Sequence, residues 1–132
     1  MINKGQREGW NTIMSNKKSD LEQYFPLYKK TMRRLKSLAL PDLFYRKLAD
    51  HLEKEWKLFM TYNNKIVIAG LVALIYNKVM YIWGNASDPR FSGANNTVYA
   101  EALKYACDYQ LSLVDFGSTL PESSHHFFKK RW

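Results

Sequence analysis

The chain has 132 residues, 46% hydrophobic and 15% aromatic, and twenty Lys and Arg against twelve Asp and Glu give a formal net charge of +8. That is enough chain and enough large apolar side chains to bury one core, which excludes a disordered tail. The positive surplus favours anionic partners (nucleic acid, nucleotide-linked sugars, a coenzyme, a lipid surface), although a basic soluble domain with no particular anion fits it equally.

In chain order, residues 1–18 are polar and basic, with a short strand around Asn11 to Ser15. Ser19-Asp20-Leu21-Glu22 reads as a capping box opening a helix with the apolar stripe Leu21, Tyr24, Phe25, Tyr28, Met32 and Leu35. Pro26 lies inside it and predicts a kink or a restart, because it lacks an N–H and crowds the preceding turn. Pro41 suits the first turn of a second helix, with Phe44, Leu48 and Leu52 on one face and Tyr45 and Ala49 on another.

From Trp56 the texture changes to alternation (Trp56, Leu58, Met60, Tyr62), the mark of a half-buried strand. Asn63-Asn64 is a turn, and residues 66–75 are apolar on both faces, as a central strand covered by helices would be. Asn77-Lys78 turns the chain into a strand from Val79 to Trp83, and Asn85 to Gly93 reads as a loop. Asn95 or Asn96 caps a third helix running to about Tyr109, and Leu111 to Phe116 is a last strand.

The single cysteine, Cys107, excludes an internal disulfide, and among Tyr105, Ala106 and Tyr109 it reads as a small buried hydrophobe. No Cys/His cluster has zinc spacing, and the adjacent His125 and His126 diverge by about 100° on a helix, so no metal site is expected. The longest apolar run, Ile66 to Tyr76, is about half a membrane helix, and Met1 to Gln6 holds no apolar signal core. The default expectation is a cytoplasmic protein with no transmembrane segment.

The order of elements predicts an α/β (α+β) domain with helices on both faces of a mixed sheet: an antiparallel meander, a right-handed crossover helix, and a last strand parallel to its neighbour. A parallel pair at the edge of such a sheet opens a cleft at its C-terminal ends. Trp83, Gly84 and Asn85 would form one rim and Asp115, Gly117 and Ser118 the other.

The ordered set of motifs resembles the GCN5-related N-acetyltransferase (GNAT) fold, and more narrowly the GNAT-like domains of the FemAB family. It is carried by Leu27-Tyr28…Thr31-Met32-Arg33-Arg34, Pro41…Phe44, Val72–Leu74, Tyr81…Gly84-Asn85-Ala86-Ser87-Asp88, the helix start bearing Asn95, Asp115-Phe116-Gly117 and Phe128-Lys129-x-x-Trp132. The FemAB resemblance implies acyl or aminoacyl transfer to an amine or hydroxyl in cell-envelope or polysaccharide precursor synthesis. Its members usually carry two such domains side by side and continue beyond the FKxxW motif. The expectation is therefore one GNAT-like domain over residues 1–132, a C-terminal half trimmed at both ends. Such a half has an uncovered strand edge that invites a second half or a homodimer.

The resemblance singles out Asp115, to orient or deprotonate the acceptor, and Lys129, the motif lysine, to stabilise developing negative charge. Each has a plainer reading, as a turn cap for Asp115 and a solvated charge for Lys129. Trp83, Asn85, Gly117, Ser118 and Trp132 are the expected substrate-binding residues. Ordinary GNAT enzymes hold coenzyme A at a loop of the form Q/R-x-x-G-x-G/A. Residues 89–96 (Pro-Arg-Phe-Ser-Gly-Ala-Asn-Asn) do not match it, which argues against a conventional coenzyme A site. No tightly bound cofactor is expected, and acyl-CoA or aminoacyl-tRNA are the candidate donors. The basic surface suits a tRNA or a nucleotide-linked precursor. Two other readings stay open: a non-catalytic basic domain that binds tRNA, an anionic glycan or a partner domain, and an ordinary coenzyme A-dependent acetyltransferase. Asp115-Phe116-Gly117 also matches the kinase metal triplet, but the chain has no GxGxxG or HRD loop and is too short for a kinase.

Overall fold

The computed structural model describes residues 2–132. Its elements are α1 (Ile2–Arg7), β1 (Asn11–Ser15), α2 (Lys18–Arg34), α3 (Asp42–Leu52), β2 (Trp56–Asn63), β3 (Ile66–Tyr76), β4 (Val79–Ser87), α4 (Ala94–Asp108), β5 (Leu113–Asp115) and α5 (Ser124–Lys129). The strands lie side by side in sequence order. The first three pairings are antiparallel, while β5, reached through the crossover helix α4, runs parallel to β4. This is the mixed α/β sheet that the pattern predicts.

Alternation along the strands divides the core in two. Leu58, Met60 and Val72 pack under α2 and α3 against Leu21, Tyr24 and Tyr45. Phe59, Ile68, Leu71 and Met80 pack under α4 against Val98 and Ala102. β2 is therefore covered on both faces, from Leu58 to Thr61, rather than half-buried as its alternation suggests. Tight hairpins link β2 to β3 and β3 to β4. Asn64, Asn77 and Lys78 take the left-handed backbone there, with φ of 56°, 49° and 62°.

The structure departs from the sequence reading in several places. The capping box does not form: Lys17 is the N-cap of α2 and makes no side-chain cap. Instead the Ser15 hydroxyl accepts from the Lys17 N–H and donates to Asp20, tying β1 to the first turn of α2. α2 does not restart at Pro26 but runs through it. Pro26 faces solvent, where water can serve the carbonyl it leaves without an intrahelical donor.

β4 continues to Ser87 instead of looping at Asn85, because Asn85, Ala86 and Ser87 pair with Leu71, Gly70 and Ala69. The N-cap of α4 is Gly93, not Asn95 or Asn96. β5 holds three residues rather than the six from Leu111 to Phe116. Cys107 is exposed, not buried. The buried stripe of α4 runs through Ala94, Val98, Ala102 and Ala106, and Cys107 is turned about 100° off it.

Candidate active site

The site begins with an irregularity in β4. Ile82 pairs with Ala73 and Gly84 with Val72, so Trp83 is an extra residue, a bulge that bends the strand. The parallel pairing of β4 with β5 lasts three rungs and ends at Tyr81 and Asp115. Beyond it the two strands separate. Gly117, at φ 74°, turns the chain beside the Ile82 carbonyl. Among the described residues β4 has no strand partner on this side from Ile82 onward; at its far end Thr31 and Arg34 engage the Ser87 backbone, leaving the edge before it for a ligand.

The far end of the opening is the start of α4. Gly93 caps the helix at φ 97° with no side-chain hydrogen bond. The first-turn amides of a helix lack intrahelical partners and carry the positive end of its dipole. Here the Ala94 N–H donates to the Phe91 carbonyl at 3.1 Å, and no side chain of the cap residue covers the amides that follow. Beside them Arg90 forks onto the Asp88 carboxylate, which holds the Asp88 pKa below its ordinary value.

One wall is built from buried phenols. Tyr24 lies flat over Gly70, where an added Cβ would meet its ring atoms at 2.5 and 2.7 Å. A Cβ at Gly84 would meet the Tyr45 hydroxyl at 3.0 Å and the Tyr24 hydroxyl at 3.4 Å. The two glycines thus let α2 and α3 sink their tyrosines onto β3 and β4. Tyr24 is wholly buried and its hydroxyl has no partner among the described residues. Burial drives the pKa of Tyr24 well up, with smaller contributions from Tyr45, Tyr28 and Tyr99, and burial likewise raises Tyr45. On the opposite face Tyr99 of α4 is pushed up to about 12 by burial, among Phe116, Phe128 and Trp132. All three phenols are neutral donors at neutral pH.

The expected site residues fall into separate groups. Asp115 Oδ1 accepts from the Gly117 N–H at 2.7 Å, closing a tight turn. Lys129 Nζ donates to the carbonyls of Gly117 and Ser118 at 3.2 and 2.9 Å, so it straps α5 to the segment after β5. Asp115, Gly117 and Lys129 line an open hollow of about 660 Å³ along the outer edge of β5. Trp83 stands apart on the α3 side, stacked on Phe44 with ring centres 6.1 Å apart. Asn85 turns to the opposite face, donating to the Gly70 carbonyl and to Asn95 Oδ1 at 3.1 and 2.7 Å. Trp132 stacks on Tyr99, also on the α4 side. Asp115, Gly117, Ser118 and Lys129 come together, while Trp83, Asn85 and Trp132 do not join them. The sequence reading placed Tyr24, Tyr45 and Gly93 only as helix stripe, helix face and loop. The signal for the first two is the pair of glycines opposite them in otherwise apolar strands.

The divergent parallel pair, the bulge and the open helix start define an acyltransferase architecture. A family model described as the acetyltransferase (GNAT) domain matches residues 2–129, and the chain belongs to that family. Its fold is that of several solved structures. An aminoglycoside acetyltransferase from an uncultured soil metagenomic sample, solved with sisomicin, superposes with a TM-score of 0.71 at 14% identity, over 92% of this chain and 85% of that one. Aminoglycoside N-acetyltransferase AAC(6')-Iy, solved with CoA, gives 0.69 at 16% identity over 92% and 84%. The ribosomal-protein-S18-alanine N-acetyltransferase of Escherichia coli gives 0.69 at 10% identity over 92% and 76%. No curated protein matches the chain.

Proposed function

We propose that this chain transfers an acyl group from a coenzyme A thioester to an amine or hydroxyl, with the donor lying in the opening between β4 and β5. The observation that carries this reading is the unpaired edge of β4 ending at the Gly93-capped start of α4. Exposed strand groups suit an amide-bearing arm, and uncovered helix amides suit its diphosphate. The mismatched loop motif is thus offset by geometry: a left-handed glycine and the first-turn amides after Ala94, whose own N–H is taken by the Phe91 carbonyl, supply what the motif's further glycine supplies elsewhere. The CoA-bound neighbour supports the same donor.

In this reading the thioester supplies an activated carbonyl. Its C–S bond breaks as a C–N or C–O bond forms, the acceptor gives up a proton, and the thiolate takes one up. Asp115 lines the hollow beside β5, and its second carboxylate oxygen makes no hydrogen bond among the described residues. It orients the acceptor or receives its proton. Lys129 acts through position, holding the carbonyls of Gly117 and Ser118 and with them the rim. For the acceptor, we carry over from the Asp-Phe-Gly…Phe-Lys-x-x-Trp resemblance a cell-envelope or polysaccharide precursor, handled beside a second GNAT-like half. The aminoglycoside-modifying neighbours support an amine on a sugar as the group to test.

A second reading has its own support. Asp115 and Lys129 are both engaged with backbone, as they would be in a domain that binds without catalysing. Release of free thiol from acetyl-coenzyme A in the presence of amino sugars separates the two. Acceptor-dependent thiol release that falls at least tenfold in Asp115→Asn supports transfer. Absence of release, with transfer from aminoacyl-tRNA instead, would replace the donor, and absence of both would leave the binding domain.

A further inference from the structure

The connection from α2 to α3 presents an exposed surface that is both aliphatic and basic. Residues 33–41, Arg-Arg-Leu-Lys-Ser-Leu-Ala-Leu-Pro, are all exposed, and Leu43 and Phe44 continue the exposed stretch. Leu38 is 98% exposed and Leu43 is 60% exposed. These leucines are held outward by a built loop rather than a frayed one. The Ser37 N–H reaches back to the Met32 carbonyl and the Lys36 N–H to that of Arg33, with Lys36 at φ 54°. At the other end the Leu40 N–H donates to the buried Tyr28 hydroxyl at 3.0 Å.

Around this aliphatic tip sit Lys29, Lys30, Arg33, Arg34 and Lys36. Only Lys29 is neutralised locally, by Asp42. Lys30, Arg33, Arg34 and Lys36 make no ion pair among the described residues. The nearest acids are already committed, Asp42 to Lys29 and Arg46, Glu22 to Arg46, and Asp88 to Arg90.

We propose that the α2–α3 loop docks the protein on an anionic lipid surface, its leucines entering the headgroup boundary while the flanking cations meet the lipid phosphates. A fully exposed Leu38 beside partly exposed leucines, ringed by cations that have no carboxylate partner among the described residues, is the composition of an interfacial anchor. A nucleic-acid surface gains little from aliphatic side chains, since bases stack on aromatics. Phe44, at the base of the loop, stacks on Trp83 of the β4 bulge, so docking would bring the opening between β4 and β5 close to the bilayer. The inference does not depend on the reaction proposed above.

The test is co-sedimentation with vesicles of phosphatidylcholine alone and of phosphatidylcholine mixed with phosphatidylglycerol, at low and physiological salt. Binding is expected only to the anionic vesicles, weakening as salt rises. Leu38→Asp should lower the partition about tenfold or more, since it removes one inserted leucine. Lys30→Gln with Arg33→Gln should lower it by a similar factor, each cation contributing roughly fivefold. All three positions are exposed, so thermal melts of these variants should match the parent. Equal binding to both vesicle types would overturn the proposal, as would anionic binding that Leu38→Asp leaves unchanged. Two further results would reassign the surface. One is transfer RNA displacing the vesicles with an affinity insensitive to Leu38. The other is a concentration-dependent dimer abolished by Leu38→Asp.

Discussion

At the scale of single residues, shape matters as much as charge. Gly70 and Gly84 exist where Tyr24 and Tyr45 need room, and neither has the positive φ that would explain a glycine by backbone alone. Gly70→Ala should lower unfolding stability by about 1–3 kcal/mol, read from urea denaturation, because a rigid ring cannot yield 1 Å in a packed core. Gly84→Ala should cost less, since a hydroxyl need move only a few tenths of an ångström. Asp115→Asn keeps the acceptor oxygen of the turn while removing the charge. If Asp115 serves the acceptor, the melting temperature should hold while kcat falls; equal kcat would assign it to the turn alone. Asp115, Gly117 and Ser118 lie together as the sequence suggests, being neighbours in the chain, while Lys129 reaches them only because α5 folds back onto the segment after β5. It misplaced Trp83 and Asn85 relative to each other. The bulge inserts one residue and re-aims the side chains, and a bulge leaves no trace in hydrophobic periodicity.

Elements were legible where period and turn chemistry agreed. The Asn-rich hairpins, the apolar central strand and the crossover helix all follow from local rules. What failed was decided by long-range contact. Asn85-Ala86-Ser87 has loop composition, yet it is strand because Gly70 and its neighbours supply a partner and Thr31 accepts from the Ser87 N–H. The capping box lost to Ser15, which lies outside the helix and is delivered by β1. For the α2–α3 loop the structural claim is that Tyr28 holds it. Tyr28→Phe should speed hydrogen exchange at the Leu40 amide at least fivefold, which NMR can read, at a stability loss of about 0.5–1.5 kcal/mol. Unchanged exchange would mean that Pro41 and the C-terminal cap of α2 fix the loop without it.

At the scale of the molecule, the two cores are joined by a sheet with tyrosines driven into both faces. Tyr99 is pushed up to about 12, while an unfolded tyrosine ionises near 10. A folded pKa above the unfolded one means that stability is full below pH 10 and is lost as pH rises through 12, by up to about 2–3 kcal/mol. Tyr24 and Tyr45 shift in the same direction. A spectrophotometric titration of the nine tyrosines should therefore show a buried set that ionises only as the fold opens. A single smooth step near 10 would show that the buried phenols are wet. No helix among the described residues is long and apolar enough to cross a membrane.

The central claim, a donor site between β4 and β5 that ends at α4, is tested most directly by calorimetric titration of the protein with acetyl-coenzyme A. Saturable binding is expected, with Kd on the order of micromolar, weakened at least tenfold in Gly93→Val, where a side chain is forced onto a left-handed backbone at the helix start. Absence of binding, or binding that Gly93→Val leaves unchanged, would contradict it.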